Sequence, residues 1–329
     1  MKKLQGFERL RQLSWGFQPA KALLTAVELD LFDHLERPRT AAEVARLAKV
    51  NERAAGILLD ALSALGLTRK EDGRYRNGAD VSAYLVSTKP GYRGAIFKHI
   101  AHCWDGWTHL TGTVKSGHPP KAGPDRTPEE QRNFILGMHA IARDLAPRIA
   151  AMLPLPEEGR LIDIGGGPAT YCLAFCRARP KLSCTLFDRP ETVRIARQVV
   201  KAEGQDVAGR VRLRGGDFTT DGLGEGEFNF AWLSQILHAY PEKECAALIR
   251  KAHAALKEGG VLAVHEFALN DTKTAPVGAA LFGVHMLAVT AGGRAYSRDE
   301  IAAWMRQAGF RRLKTRRASP ASSLVIGWK

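Results

Sequence analysis

Apolar residues at helical spacing dominate the first third of the chain. Leu23, Leu24, Val27, Leu31 and Leu35 recur as one face and predict a helix over 19–35. Thr40, with Glu43 three positions on, reads as a capping box opening a short helix, AAEVARLAKV. Asn51 caps a second, ERAAGILLDALSALG, which stops at Gly66. Asp72-Gly73 then sits between two short strand-like stretches, a hairpin signal. Helices followed by a hairpin predict a winged-helix arrangement. Residues 94–115 are a further helical stretch, rich in His and aromatics, and a Pro/Gly loop from Gly117 to Pro128 marks a domain boundary. A helix is expected from Thr127 to about Met152.

Beyond Arg160 the period switches to alternating short apolar runs and helices. RLIDI, SCTLFD, RVRLRGGDF, FNFAWLSQIL and GGVLAVHEF read as strands, with helices over 169–178, 190–203 and 241–257 between them. A helical insertion, a helix over 297–308 and strands over 310–317 and SSLVIGW complete the chain. The fold class is therefore α/β: a Rossmann-like, mostly parallel sheet of seven strands, one of them antiparallel, behind an N-terminal helical, winged-helix domain. The expected division is 1–117 and 118–329.

The first strand–turn–helix carries the binding chemistry. Gly165, Gly166 and Gly167 let a ligand approach the backbone closely. Position 170 is Thr where a dinucleotide fingerprint needs Gly or Ala, and the carboxylate of Asp163 just before the glycines suits an amine and repels phosphate. Asp188, closing the second strand, can accept two ribose hydroxyls, and Asp217-Phe218, closing the third, can take an adenine amino group and cover its ring. His238 lies just past the fourth strand, on the carboxyl-end rim where open α/β sheets bind ligands.

Composition narrows the class of protein. The chain has 329 residues and a net charge of +14, spread as +6 over 1–120, balance over 121–160 and +8 over 161–329. Its densest basic cluster, Arg311 to Arg317, has period near two and reads as a solvated edge strand with Arg312, Lys314 and Arg316 on one face. The helix from Asn51 offers only Asn51 and Arg53 to a groove, so it suits pairing of chains better than nucleic acid. No apolar run spans a membrane, the first seventeen residues lack the apolar core of a leader, and a cytoplasmic setting is expected. The five cysteines include no CxxC pair; Cys172 and Cys176 share a helix face without further ligands, so no metal is expected.

LIDIGGGPAT, LFDRPET, RGGDF, LSQILHAYPEKE, GGVLAVHEF and GGRAYSRDEIAAWMRQAGF together resemble the class I S-adenosylmethionine-dependent methyltransferases that act on small molecules. The likeness runs from the helices near residue 20 to the last strand, and it is to the O-methyltransferases of caffeate, flavonoids, acetylserotonin and bacterial polyketides. The resemblance implies S-adenosylmethionine as cofactor, a homodimer built on the N-terminal domain and a small, aromatic or polycyclic hydroxyl acceptor. It implies His238 as the base and Glu266 at the end of the fifth strand as its orienting partner, while His265, which alternates to the other face, reads as structural. Gly165 and Gly167 would hold the methionine end, and Ser234 a place beside the cofactor. Phe134 and Met138 on one helix face, and Phe282, His285 and Met286 in the insertion, are candidates for the acceptor pocket, which Trp104 and Trp107 could close. The chain departs from the plant pattern at Ala239-Tyr240 (Asp-Trp there), at Ser234 (lysine there) and at Ala295 (a second glutamate there). A carbon acceptor, decarboxylation or hydroxylation with the cofactor as a structural cation, and a DNA-binding regulator are the alternative readings.

Overall fold

A computed structural model describes residues 5–120 and 126–329. The first four residues and the centre of the Pro/Gly boundary loop lie outside them. The chain packs as two compact units that divide between Cys103 and Trp104, upstream of that loop.

The first unit holds α1 (Gly6–Trp15), α2 (Phe17–Glu28), α3 (Ala41–Ala48), α4 (Glu52–Ala64), a hairpin of β1 (Thr68–Glu71) and β2 (Arg74–Asn77), and α5 (Ala79–Tyr84). Thr40 and Glu43 form a reciprocal capping box, and Asn51 Oδ1 accepts from the Ala54 amide at 3.0 Å. Asp72 and Gly73 take left-handed φ values of 47° and 72°, the pair a tight hairpin turn requires. The helix expected over 19–35 is broken. Asp30 is left-handed (φ 51°), so α2 ends at Glu28 and a short 3-10 turn, Leu31–His34, follows. That break turns Leu31, Phe32 and Leu35 into a core with Val44, Leu59 and Leu62.

Helix α6 (Gly94–Thr108) crosses the division. The second unit continues with α7 (Leu110–Ser116), α8 (Pro128–Ala142) and α9 (Ala146–Met152). The last two replace the single helix expected from Thr127, because Pro147 has no amide to continue the ladder and sits at the start of α9. There follow β3 (Glu158–Ile164), α10 (Thr170–Ala178), β4 (Lys181–Asp188), α11 (Pro190–Glu203), β5 (Val211–Gly215), β6 (Phe228–Ser234), α12 (Glu242–Ala255) and β7 (Leu256–Glu266). The insertion is α13 (Val277–Val289), and α14 (Arg298–Gln307), β8 (Arg311–Arg317) and β9 (Ser323–Trp328) close the chain.

The seven strands run in the order β5-β4-β3-β6-β7-β9-β8, and only β9 opposes its neighbours. The order reverses between β3 and β6, which opens a crevice at their carboxyl ends. Alternation along the strands divides the core. Leu161, Phe230, Trp232 and Ala263 pack with α9 and α10, whereas Ile162, Ile164, Leu233 and Val264 pack with α12 and α14. The edge strand β8 corrects one expectation. Arg312 is left-handed (φ 52°) and bulged out of the pairing, so only Lys314 and Arg316 keep the predicted alternation.

Candidate functional site

The crevice is walled by three chain turns. Gly165 (φ 68°) and Gly167 (φ 56°) leave β3 in the left-handed region. A Cβ on Gly165 would lie 2.5 Å from Ile236 Cδ1 and 3.5 Å from Phe218 Cε1, so the glycine turn, the β6 exit and the Asp217-Phe218 loop close on one point. Lys251 on α12 holds that loop by donating to the carbonyls of Phe218, Thr219 and Asp221 at 2.7, 3.0 and 3.0 Å. Phe218 stands edge-on to Tyr240, with ring centroids 5.4 Å apart.

The acidic groups differ sharply. Asp163 is fully buried below the glycine turn and accepts only a long contact from the Cys172 thiol at 3.5 Å. Its Oδ1 has no partner among the described residues. Burial pushes its pKa up to about 7. Asp188 receives the Gly167 amide on Oδ2 and the Arg189 amide on Oδ1, at 2.8 and 2.7 Å. Burial raises its pKa and those amides oppose the rise. Asp217 Oδ1 is taken by the Thr219 hydroxyl and amide, which hold its pKa below the usual range. Ser234 Oγ lies 3.0 Å from His265 Nδ1, and His265 Nε2 lies 2.9 Å from Ser322 Oγ. Burial brings His265 down to about 4, a neutral ring stacked on Trp232.

The second cluster forms where β6 meets β7. Gln235 is left-handed (φ 58°) and donates its amide to the His265 carbonyl at 2.8 Å. This turn carries Ile236 and Leu237 over Glu266, whose Oε1 accepts both of their amides at 2.8 Å. Glu266 Oε2 meets His238 Nδ1, also at 2.8 Å. A carboxylate already accepting two amides takes the imidazole N–H as its third donor, which leaves Nε2 of a neutral His238 as the free lone pair. Phe282 stands edge-on to the His238 ring at 4.7 Å.

The remaining candidates separate. His285 is reached by Trp107, whose indole Nε1 donates to Nδ1 at 3.0 Å. Met286 is buried, and Phe134 lies under the Arg126 guanidinium at 4.1 Å. Phe134 and Met138 ride on α8, which His139 ties to Thr170 Oγ1 (2.8 Å) and Glu203 (3.1 Å). Ala295 is buried in an apolar cluster with Leu269 and Ala279. Sequence reasoning missed Gln235, His139 and Lys251. Each acts on a backbone or on a residue distant in the chain, and none leaves a local motif. Among the described residues, no group of three or more His, Cys, Asp or Glu is placed to hold a metal ion.

Comparison with known proteins fixes the family. A model of the O-methyltransferase domain matches residues 116–311, and one of the O-methyltransferase dimerisation domain matches residues 12–88. The chain belongs to the O-methyltransferase family. A 3-hydroxy-5-methyl-1-naphthoate 3-O-methyltransferase of Streptomyces sahachiroi is 34% identical, with 96% of this chain and 93% of the relative covered. The N,N-dimethyltransferase OxyT of Streptomyces rimosus is 31% identical over 97% of this chain and 94% of its own. The solved structure of PigF with S-adenosylhomocysteine superposes with a TM-score of 0.89 at 26% identity, covering 99% of this chain and all of that one. The protein is thus an S-adenosylmethionine-dependent O-methyltransferase with a dimerisation domain of that family. None of its described helices is long and apolar enough to cross a membrane.

The crevice fits the cofactor on its own terms. An orphaned buried carboxyl oxygen lies under the glycine turn, and a Cβ on Gly165 would fill the space beside Ile236 and Phe218.

Proposed function

We propose that this methyltransferase acts on a hydroxyl of a small aromatic or polycyclic metabolite, with His238 as the proton acceptor. The His238–Glu266 contact carries the reading. Asp163 would take the charged amine of the cofactor's methionine end, beside Gly165 and Gly167. Asp188 would take the ribose, Asp217 and Phe218 the adenine, and Ser234 flanks the same cleft. When bound, the cofactor supplies an electrophilic methyl group on a sulfonium. His238 Nε2 removes the acceptor's hydroxyl proton as the oxygen becomes nucleophilic, and Glu266 stabilises the resulting imidazolium. Phe282, and Phe134 and Met138 on α8, would shape the apolar wall of the acceptor pocket, with Met286 behind it.

Residues 1–117 would serve pairing into a homodimer and 118–329 the chemistry, in keeping with the two family domains. A nitrogen acceptor is the second reading, favoured by the likeness to an N,N-dimethyltransferase. It uses the same base and differs in the product.

Calorimetry with S-adenosylhomocysteine tests the cleft. Wild type should bind, and Asp188→Ala should bind at least about 10-fold more weakly. Equal binding by both, or none by wild type, refutes the assignment. His238→Ala should lower methylation of a naphthol by about 10²–10⁴, and retained turnover refutes the base. Offering a matched naphthylamine separates oxygen from nitrogen transfer.

A further inference from the structure

Two histidines flank the Phe282 ring, at centroid distances of 4.7 Å for His238 and 5.8 Å for His285. They are held in opposite tautomers. His238 donates its Nδ1–H to Glu266, which leaves Nε2 as the lone pair. His285 accepts a hydrogen bond at its Nδ1 instead. The Trp107 indole can only donate, and it lies 3.0 Å from His285 Nδ1, with the two rings stacked at an interplanar angle of 18°. Nδ1 of His285 is therefore a lone pair, and its own proton sits on Nε2.

Gly106 makes this contact possible. A Cβ there would lie 2.8 Å from the Ala288 carbonyl and 3.1 Å from Val289, so only glycine lets the end of α6 close on α13 and bring Trp107 to His285. Burial lowers the pKa of His285, so its ring stays neutral near pH 7.

We propose that His285 is a specificity-determining residue, whose Nε2–H donates to a second oxygen of the acceptor while His238 takes the proton of the hydroxyl being methylated. The inference rests on the proposed aromatic-hydroxyl reading and narrows it. The acceptor carries, besides the hydroxyl being methylated, a second oxygen that accepts this hydrogen bond, a role that a carboxylate or carbonyl on the ring system fills with its full acceptor strength. An acceptor with no second oxygen leaves a half-buried N–H unpaired, and sites built around a hydrogen bond discriminate strongly against analogues that lack the partner. Trp107 is the positioning residue, because it fixes which nitrogen of His285 holds the proton.

The test compares 3-hydroxy-1-naphthoate with 2-naphthol, which differ only in the carboxylate. The readout is kcat/KM, measured by S-adenosylhomocysteine release and checked by mass spectrometry. Wild type should favour the naphthoate by about 10-fold or more. In His285→Phe that ratio should fall towards one, mainly through KM for the naphthoate. His285→Gln, whose amide still donates, should recover part of it, and Trp107→Phe should give an intermediate ratio. S-adenosylhomocysteine affinity and melting temperature establish that each variant is folded. Equal use of both acceptors by wild type, or a ratio that survives in His285→Phe, overturns the proposal. Turnover of neither acceptor by a wild type that still binds S-adenosylhomocysteine overturns the aromatic-hydroxyl reading, and the proposal falls with it.

Discussion

Two carboxyl groups are buried near the carboxyl ends of β3 and β7, the strands on either side of β6, and their surroundings are opposite. Glu266, 3% exposed, receives two backbone amides and an imidazole. Asp163, 0% exposed, receives one weak thiol contact and keeps an oxygen with no partner among the described residues. Burying an ionised carboxylate is costly unless donors surround it. The protein supplies those donors around Glu266 and withholds them around Asp163. The first is fully partnered within the protein, and in the function proposed above it holds His238. The second is left incomplete, and in the function proposed above it receives the cationic amine of the cofactor.

The largest effect should come from breaking the finished site. In Glu266→Gln the amide Nε2–H competes with the His238 Nδ1–H and favours the wrong tautomer. We expect kcat to fall by about 10²–10³, while S-adenosylhomocysteine affinity stays within roughly twofold. Combined with His238→Ala it should add little, since the two act as one unit.

Asp163→Asn should do the reverse, weakening S-adenosylhomocysteine by about 10–100-fold through loss of a charged hydrogen bond. It should also stabilise the apo protein in a defined pH window. The folded pKa of about 7 lies above the ordinary 3.8, so the wild type carries its full burial penalty above pH 7 and sheds it as pH falls towards 3.8. The variant's advantage, about 1–3 kcal/mol, should therefore appear at pH 8 and vanish near pH 4. Thermal melts across that range read it directly. The smallest change is Ser234→Ala, which removes one of the two hydroxyl partners of His265 and should cost about 1 kcal/mol in a denaturant melt.

What could be read from the chain was local. The Thr40–Glu43 box and the Asp72-Gly73 turn are fixed by neighbours a few residues apart, and both form as the pattern predicts. The order of strands and helices follows from their periods. Single left-handed residues escaped notice. Asp30 ends a helix early and Arg312 bulges a strand, and neither leaves a trace in hydrophobic periodicity. The site divides along the same line. His238 and Glu266 could be paired on paper because β6 and β7 are consecutive parallel strands. The Trp107–His285 bond spans 178 residues, and the thiol nearest Cys172 belongs to Cys184 on β4 rather than to Cys176 on its own helix face. Contacts of that kind come from tertiary packing and cannot be read from spacing.

The most direct test is the proton balance of S-adenosylhomocysteine binding, measured by calorimetry in buffers of different ionisation enthalpy. If Asp163 is neutral in the apo protein and ionises against the ligand's amine, wild type should release close to one proton at pH 6 and almost none at pH 8.5. Asp163→Asn should abolish the release and Glu266→Gln should leave it intact. No release from wild type, or a release that persists in Asp163→Asn, would contradict a carboxyl held incomplete for the cofactor.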